Sequence, residues 1–327
     1  MSSRSFLRPR LGISRCIEFD HCRYNGDIIA SDLVRRLKEH ADLVPICPEV
    51  EIGLGVPRDP IRIVLRGQER HLVQPSTGRD LTASMSSFSS EFLDRMGEVD
   101  GFILKSRSPS CGVRDVRAYP ERQGAAPVDR GSGIFGQEVQ RRLEGLPVED
   151  EARLRNIKLG EHFLTRAFTL RSFRELGAAA RMPDLIGFHS RNKLLLMMYN
   201  QTELRNLGRL VANPSGQEPE AVLNEYGAHL RRALSRPPRC TSPVNVLMHA
   251  FGYVSKRMKK EERDLFLQNL DMYREARVPL SVCLGLMRSY IVRFQVEYLA
   301  SQTFFEPFPP GILSVGITDS CEWREMA

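Results

Sequence analysis

Three cysteines, Cys16, Cys47 and Cys111, each stand just past a short apolar run that reads as a buried strand: Leu11-Gly12-Ile13, Leu43-Val44-Pro45-Ile46 and Gly101-Phe102-Ile103-Leu104. In an open α/β sheet the loops leaving the carboxyl ends of parallel strands gather at one edge, where ligands bind. Three thiols delivered to such an edge can hold a metal or cluster and leave one coordination position free for a substrate. A structural site is instead closed by a fourth ligand, and Cys22, close after Cys16, is the residue that would close this one. The spacings of 31 and 64 residues between the three are not those of a zinc ribbon. From spacing alone, three thiols buried as small hydrophobes is the competing reading.

The elements that must position these thiols alternate between strand and helix up to residue 147. Helical spacing of apolar residues predicts helices over 27–40 and 81–96, the second with Met85, Phe88, Phe92 and Leu93 as its buried stripe. Between them, Ile61–Leu65 and Arg70–Val73 read as a hairpin turning at Gly67. Gly131-Ser132-Gly133 then leads into a helical run to Leu143. Strands separated by helices imply an α/β domain with a mainly parallel sheet over residues 1–147.

After Pro147 the pattern is all-α, with helices predicted over 151–176, 183–199, 218–234, 243–269 and 278–298. The second domain is expected over 148–306, and 307–327 reads as an extended tail. His189 and His249 lie on apolar stretches and are expected in the core, while Cys240, Cys283 and Cys321 read as ordinary thiols.

Charge is divided unevenly between the two parts. Residues 1–150 carry 22 Lys and Arg against 22 Asp and Glu, whereas 151–327 carry 25 against 18, so the whole net charge of +7 lies in the second. A basic domain beside a neutral one fits a division between chemistry and holding a polyanion, although a solvated Arg-rich surface gives the same count. Seven sparse cysteines, no apolar leader run in MSSRSFLRPR and no long apolar stretch point to a cytoplasmic protein without a membrane span.

The cysteine segments resemble the TudS-like thiouracil desulfidases. The matching elements are G-I-S-x-C from Gly12, R-Y-N-G from Arg23, C-P-E-V-E-I-G-L-G-x-P-R from Cys47, T-G-R-D-L-T from Thr77 and K-x-x-S-P-S-C-G from Lys105. The second half is similar to the YbgA-type domain, through F-H-S-R-N-K-L-L-L-M from Phe188, N-V-L-M-H from Asn245, G-Y at Gly252, V-P-L from Val278 and Y-L-A-S-Q-T-F-F-E-P from Tyr298. The combination is similar to the RudS-type desulfidases, which act on 4-thiouridine in transfer RNA. The chain departs from the family at Ile17-Glu18-Phe19, where C-L-L-G is usual, which adds a charge near the first cysteine; it departs again at Asp27, where a glycine is usual, and at Cys22, where a valine is usual.

The resemblance implies a 4Fe–4S cluster held by Cys16, Cys47 and Cys111 with one iron open, acting on a thiolated nucleobase or on transfer RNA. Replacing sulfur by oxygen is redox-neutral and needs no electron donor, but it needs protons moved. Glu49, two residues after a ligand, is the candidate acid–base, with Ser108 and then Ser110 to position water or donate to developing charge. Candidate phosphate contacts in the helical domain are Arg191, Lys193, Lys256, Arg257, Lys259 and Lys260. Free thiouracil as substrate, a non-catalytic iron–sulfur RNA sensor and a zinc-bearing interaction module are the alternatives. Glu51 is expected to pair with an arginine such as Arg58.

Overall fold

The computed structural model describes residues 4–313 except 123, 178–179 and 214–215. It divides into two compact units, one of Leu7–Arg171 with Gly311–Leu313, the other of Ser172–Pro310 with residues 4–6.

The first unit begins β1 (Arg10–Ser14), α1 (Asp32–Leu37), β2 (Asp42–Ile46), α2 (Pro48–Glu51), β3 (Arg62–Arg66), β4 (Glu69–Gln74), β5 (Arg79–Asp80) and α3 (Thr82–Met96). It continues with β6 (Gly101–Leu104), β7 (Val116–Pro120), β8 (Asp129–Gly131), α4 (Ile134–Arg142), β9 (Val148–Asp150) and the greater part of α5 (Ile157–Arg174). One sheet has the order β2-β1-β6-β9 and is parallel throughout, as an α/β pattern requires. Its central strands are buried on both faces, with Leu11, Ile13, Phe102, Ile103 and Leu104 fully enclosed, which is why they read as unbroken apolar runs. Pro45, which lacks a ladder donor, is tolerated because β2 is an edge strand.

A second sheet, β5-β4-β3-β7-β8, is antiparallel except for the β3–β7 pair. The expected hairpin is its β3–β4 turn, with Gly67 at φ +63° where a side chain would be strained. The strands β7 and β8 are not among the predicted elements: β8 (Asp-Arg-Gly) has no apolar side chain, and β7 alternates only Val116 and Ala118 into the core. The predicted helix over 27–40 is shorter, because Ile29 donates to the Cys16 carbonyl at 2.8 Å and its own carbonyl accepts from Glu18 at 3.0 Å. That extended bridge, Ile17 to Ile29, ties the loop after β1 down before Ser31 caps α1.

The second unit contains α6 (Met182–Tyr199), α7 (Gln201–Ala212), α8 (Pro219–Ala233), α9 (Ser242–Val254), α10 (Lys260–Arg274), α11 (Leu280–Phe294) and α12 (Glu297–Ser301). The helix expected over 243–269 is two, since Met258 is extended and buried and Glu262 Oε2 accepts from Lys259 N at 2.8 Å to start α10. Helix α7 is not among the predicted helices, although Leu204, Leu207, Leu210 and Val211 recur at helical spacing and Asn200 marks its start, its side chain accepting from Glu203 N at 3.0 Å. Leu195, Leu247, Phe266, Cys283 and Met287 are fully buried in the core of this unit, so Cys283 is a packing thiol as expected. Of the tail, residues 314–327 and with them Cys321 lie outside the described residues; Ile312 is buried rather than extended into solvent. Among the described residues no helix is long and apolar enough to cross a membrane.

Candidate active site

The parallel register brings the ends of β1, β2 and β6 to one level, with Ser14 beside Ile46 and Ile13 beside Ile103. The chain turns out of the sheet at that level, so Cys16, Cys47 and Cys111 arrive at one edge from three directions. All three are free thiols and buried, at 8, 8 and 6 % exposure, and all line one cavity of about 400 Å³. Cys22, also buried, lines it too, and its carbonyl accepts from Cys47 Sγ at 3.7 Å. A hydrogen bond with the Cys22 thiol, with burial, pushes the Cys47 thiol well above its ordinary range, and burial is the chief cause of the upward shift at Cys111. Cys22 is raised chiefly through its hydrogen bond with Cys16.

Among the described residues no group of three or more His, Cys, Asp or Glu converges on a point suited to a single metal ion. A single zinc needs its sulfur ligands about 2.3 Å from one centre. An iron–sulfur cluster asks for something else, one thiolate at each of several separated irons. Soft, buried sulfur donors around a partly open cavity, with no histidine lining it, suit such a cluster.

The acid–base candidate is built into this wall. Glu49 sits in α2, two residues after Cys47, and its Oε2 accepts from Arg58 Nε and Nη2 at 2.8 and 2.6 Å. The pair is nearly enclosed, the Glu49 and Arg58 side chains being 13 and 4 % exposed. The expected pairing of Glu51 with Arg58 does not form; Glu51 pairs with Arg15 at 3.3 Å, and the buried Arg58 guanidinium serves Glu49. Glu49 Oε1 accepts from Ser110 Oγ at 2.9 Å and faces Ser108 Oγ at 3.5 Å. Ser108 lines the cavity, and its Oγ accepts from Ser110 N and Cys111 N at 3.2 and 3.1 Å, fixing the Cys111 loop. Ser110 is fully buried behind that wall, so its contact is with Glu49.

Helix α4 sets the depth of the Cys111 loop. Gly133 N donates to Gly112 O at 2.8 Å and Gly136 N to Ser110 O at 3.0 Å. A Cβ on Gly136 would lie 2.4 Å from Gly112 O and 2.6 Å from Cys111 O, both backbone atoms. Gly136→Ala is therefore expected to cost about 1–3 kcal/mol in denaturant unfolding. Unchanged stability would mean the loop yields freely to the methyl.

Arg15, Arg23, Lys105 and Arg107 also line the cavity, Arg15 paired with Asp20 and Glu51 and Arg23 with Asp27. Lys105 is held by Glu151 at 2.8 Å. The Glu18 departure is remote in effect: its carboxylate accepts from Ser31 N at 2.6 Å and pairs with Arg35 at 3.1 Å, and it is not among the cavity lining.

In the helical unit Arg191, Lys193, Lys256, Lys259 and Lys260 are exposed. Arg257, though exposed, is committed to the Phe294 carbonyl at 2.6 Å and to that ring. His189 is half-buried, with Nδ1 3.1 Å from the Tyr226 hydroxyl. His249, expected in the core, is exposed, because it falls on the outward face of α9.

Residues 11–151 match the family described as 2-thiouracil desulfurase, and residues 193–309 match DUF1722, a family of unknown function. Protein YbgA of Escherichia coli K12 is 32 % identical over 126 residues, covering 38 % of this chain and 75 % of that protein. Protein YbbK of Bacillus subtilis 168 is 33 % identical over 109 residues, covering 31 % of this chain and 71 % of that protein. Among solved structures, a 4Fe–4S-dependent thiouracil desulfidase, TudS, aligns with TM-score 0.38 and 28 % identity, over 47 % of this chain and 98 % of that one.

Proposed function

Since the chain belongs to the 2-thiouracil desulfurase family, joined to a DUF1722 region of the YbgA type, we propose that it is an iron–sulfur desulfidase converting thiolated uridine to uridine with release of hydrosulfide, 4-thiouridine in transfer RNA being the preferred substrate. The observation that carries this reading is the meeting of Cys16, Cys47 and Cys111 with Glu49 and Ser108 on one cavity. These three thiols would hold a 4Fe–4S cluster, whose open iron, when bound, supplies a thiophilic Lewis acid for an exocyclic thiocarbonyl sulfur.

The chain's own groups then do the proton work. Net conversion of C=S to C=O consumes one water and releases hydrosulfide, with no change in oxidation state, so no electron donor is required. Water must lose protons as its oxygen bonds to the ring carbon, and the departing sulfur must take one up. Glu49 is the carboxylate lining the cavity beside Cys47, and Arg58 holds its Oε2 so that Oε1 faces the two serines. Ser108, in the wall and anchored by two backbone amides, can orient the water or the substrate oxygen.

RNA is favoured over a free base by the basic second half of the chain. A thionucleobase stacked in RNA must be unstacked to enter the cavity, at a cost of about a few kcal/mol that phosphate contacts offset. A free thiouracil also suits a cavity of this size, so anaerobic competition between thiolated transfer RNA and free thiouracil decides the preference. The RNA reading expects the transfer RNA to be consumed first; preferential consumption of the free base contradicts it.

Changing Lys256, Lys259 and Lys260 together to Gln, leaving Arg257 in its structural contact, is expected to weaken transfer RNA binding. Each phosphate these lysines neutralise contributes roughly 0.7–0.9 to the log–log salt slope, so the variant's slope should be shallower. An unaltered slope would reduce this cluster to a solvated surface.

A further inference from the structure

We propose that the outward face of α9 is a stacking platform for an unpaired nucleotide of a bound RNA, centred on Tyr253 and Gly252; this rests on the RNA reading above and names the surface that would serve it. Asn245, Met248, His249, Gly252 and Tyr253 recur at helical spacing along α9, Lys256 stands just past its end, and all are exposed. An amphipathic helix packed on one side normally carries charged residues on the other. This one carries no acidic residue between Ser242 and Val254 and displays Met248 at 40 % and Tyr253 at 53 % exposure.

Two features point to a flat, anionic ligand. Tyr253 is backed by the Tyr298 ring, with centroids 5.1 Å apart and planes 28° from parallel, so one side of the ring is supported and more than half the residue remains open. A supported, exposed aromatic face is what base stacking uses, and it tolerates any base. Gly252, beside it, is a glycine within a helix, where alanine would favour the helix. A Cβ there would meet nothing within 4 Å, so internal packing gives no reason for the missing side chain. A bare stretch of helix next to an open ring admits a close-lying planar group. Lys256 follows one turn on, with exposed Lys259 and Lys260 beyond it to meet the phosphates. His249 and Asn245, one and two turns back on the same face, are placed to hydrogen-bond the base edge or ribose.

The test measures, by fluorescence anisotropy, binding of transfer RNA and of a short single-stranded oligonucleotide to the full-length protein, with melting temperature alongside. Tyr253→Ala is expected to weaken binding roughly 5- to 150-fold, the range found for removing one stacking aromatic. Tyr253→Phe keeps the ring face and should retain wild-type affinity. Gly252→Leu should weaken RNA binding without lowering the melting temperature, since the leucine enters open space on a helix it favours. Turnover of free thiouracil should be the same in all three. Wild-type-like RNA binding by Tyr253→Ala or by Gly252→Leu would overturn the platform while leaving the RNA reading intact. Weak binding by Tyr253→Phe would overturn it as well, by assigning the effect to the hydroxyl. A wild-type protein that binds no RNA yet turns over free thiouracil would overturn the RNA reading itself, and the platform with it.

Discussion

Cys16→Ala, Cys47→Ala and Cys111→Ala are each expected to give a folded protein that retains no stable iron–sulfur cluster and shows no desulfidase turnover. The three thiols come from three different strand ends, so no neighbouring residue on the same loop can substitute for Cys47 or Cys111. Removing any one takes away a thiolate that the cluster needs to stay bound. Each cysteine is small and buried, so the alanine leaves only a modest cavity and the sheet beneath should survive. Cys22→Ala is the discriminating control. Cys22 lines the same cavity and is hydrogen-bonded with the Cys16 and Cys47 thiols, a closeness that sequence spacing only hints at. With one iron open to substrate, Cys22→Ala should keep the cluster and most of the activity. Iron and sulfide quantification with visible absorbance, under anaerobic conditions, reads all four variants. Loss of iron from Cys22→Ala as complete as from Cys16→Ala would make the site closed and remove the basis for catalysis at an open iron.

Glu49→Gln is expected to keep the cluster and lower turnover about 100-fold or more, the range for a positioned acid or base. The substitution preserves shape, and the Gln carbonyl oxygen can still accept from Arg58 or from Ser110. It ends proton transfer at Oε1 while leaving the wall in place. Because the ion pair it removes is nearly enclosed, some stability goes with it; breaking a buried pair outright costs about 3–5 kcal/mol. Melting temperature and iron content measured on the same preparation separate that effect from the chemical one. Turnover within a few-fold of wild type, with iron retained, would move proton handling to another group, Ser108 being the next to test.

How far the sequence discloses this site depends on which interactions are local. The strand runs ending near Cys16 and Cys111 are legible because strands buried on both faces must be almost continuously apolar, and Leu11, Ile13, Phe102 and Ile103 are; β2, ending at Cys47, is a partly exposed edge strand that shows only through Leu43, Val44 and Ile46. Glu49 is legible because it follows a thiol in the chain. Its partner is not: Arg58 and Arg15 lie on different loops, and which carboxylate each meets depends on the path of the backbone. The second sheet is half visible, through the Gly67 hairpin; β8 has no apolar side chain, and the alternation of β7 is carried by Val116 and Ala118 alone, too short a signal to stand out. His249 is misplaced by its sequence context because its neighbours Leu247 and Ala250 are core residues, and one step along a helix turns a side chain by about 100°, from core to solvent. The break between α9 and α10 depends on a capping contact, Glu262 to Lys259 N, which apolar periodicity does not register.

Anaerobic turnover of 4-thiouridine-bearing transfer RNA in heavy-oxygen water, with the cluster intact and no reductant present, bears most directly on desulfuration at this cavity. Nucleoside mass analysis should find uridine carrying a single heavy oxygen, and hydrosulfide released in equal amount. Unlabelled uridine, or a conversion that proceeds only when an electron donor is added, would contradict redox-neutral desulfuration at this site; so would an unchanged thionucleoside, whether in RNA or supplied as free thiouracil, in the presence of a fully loaded protein.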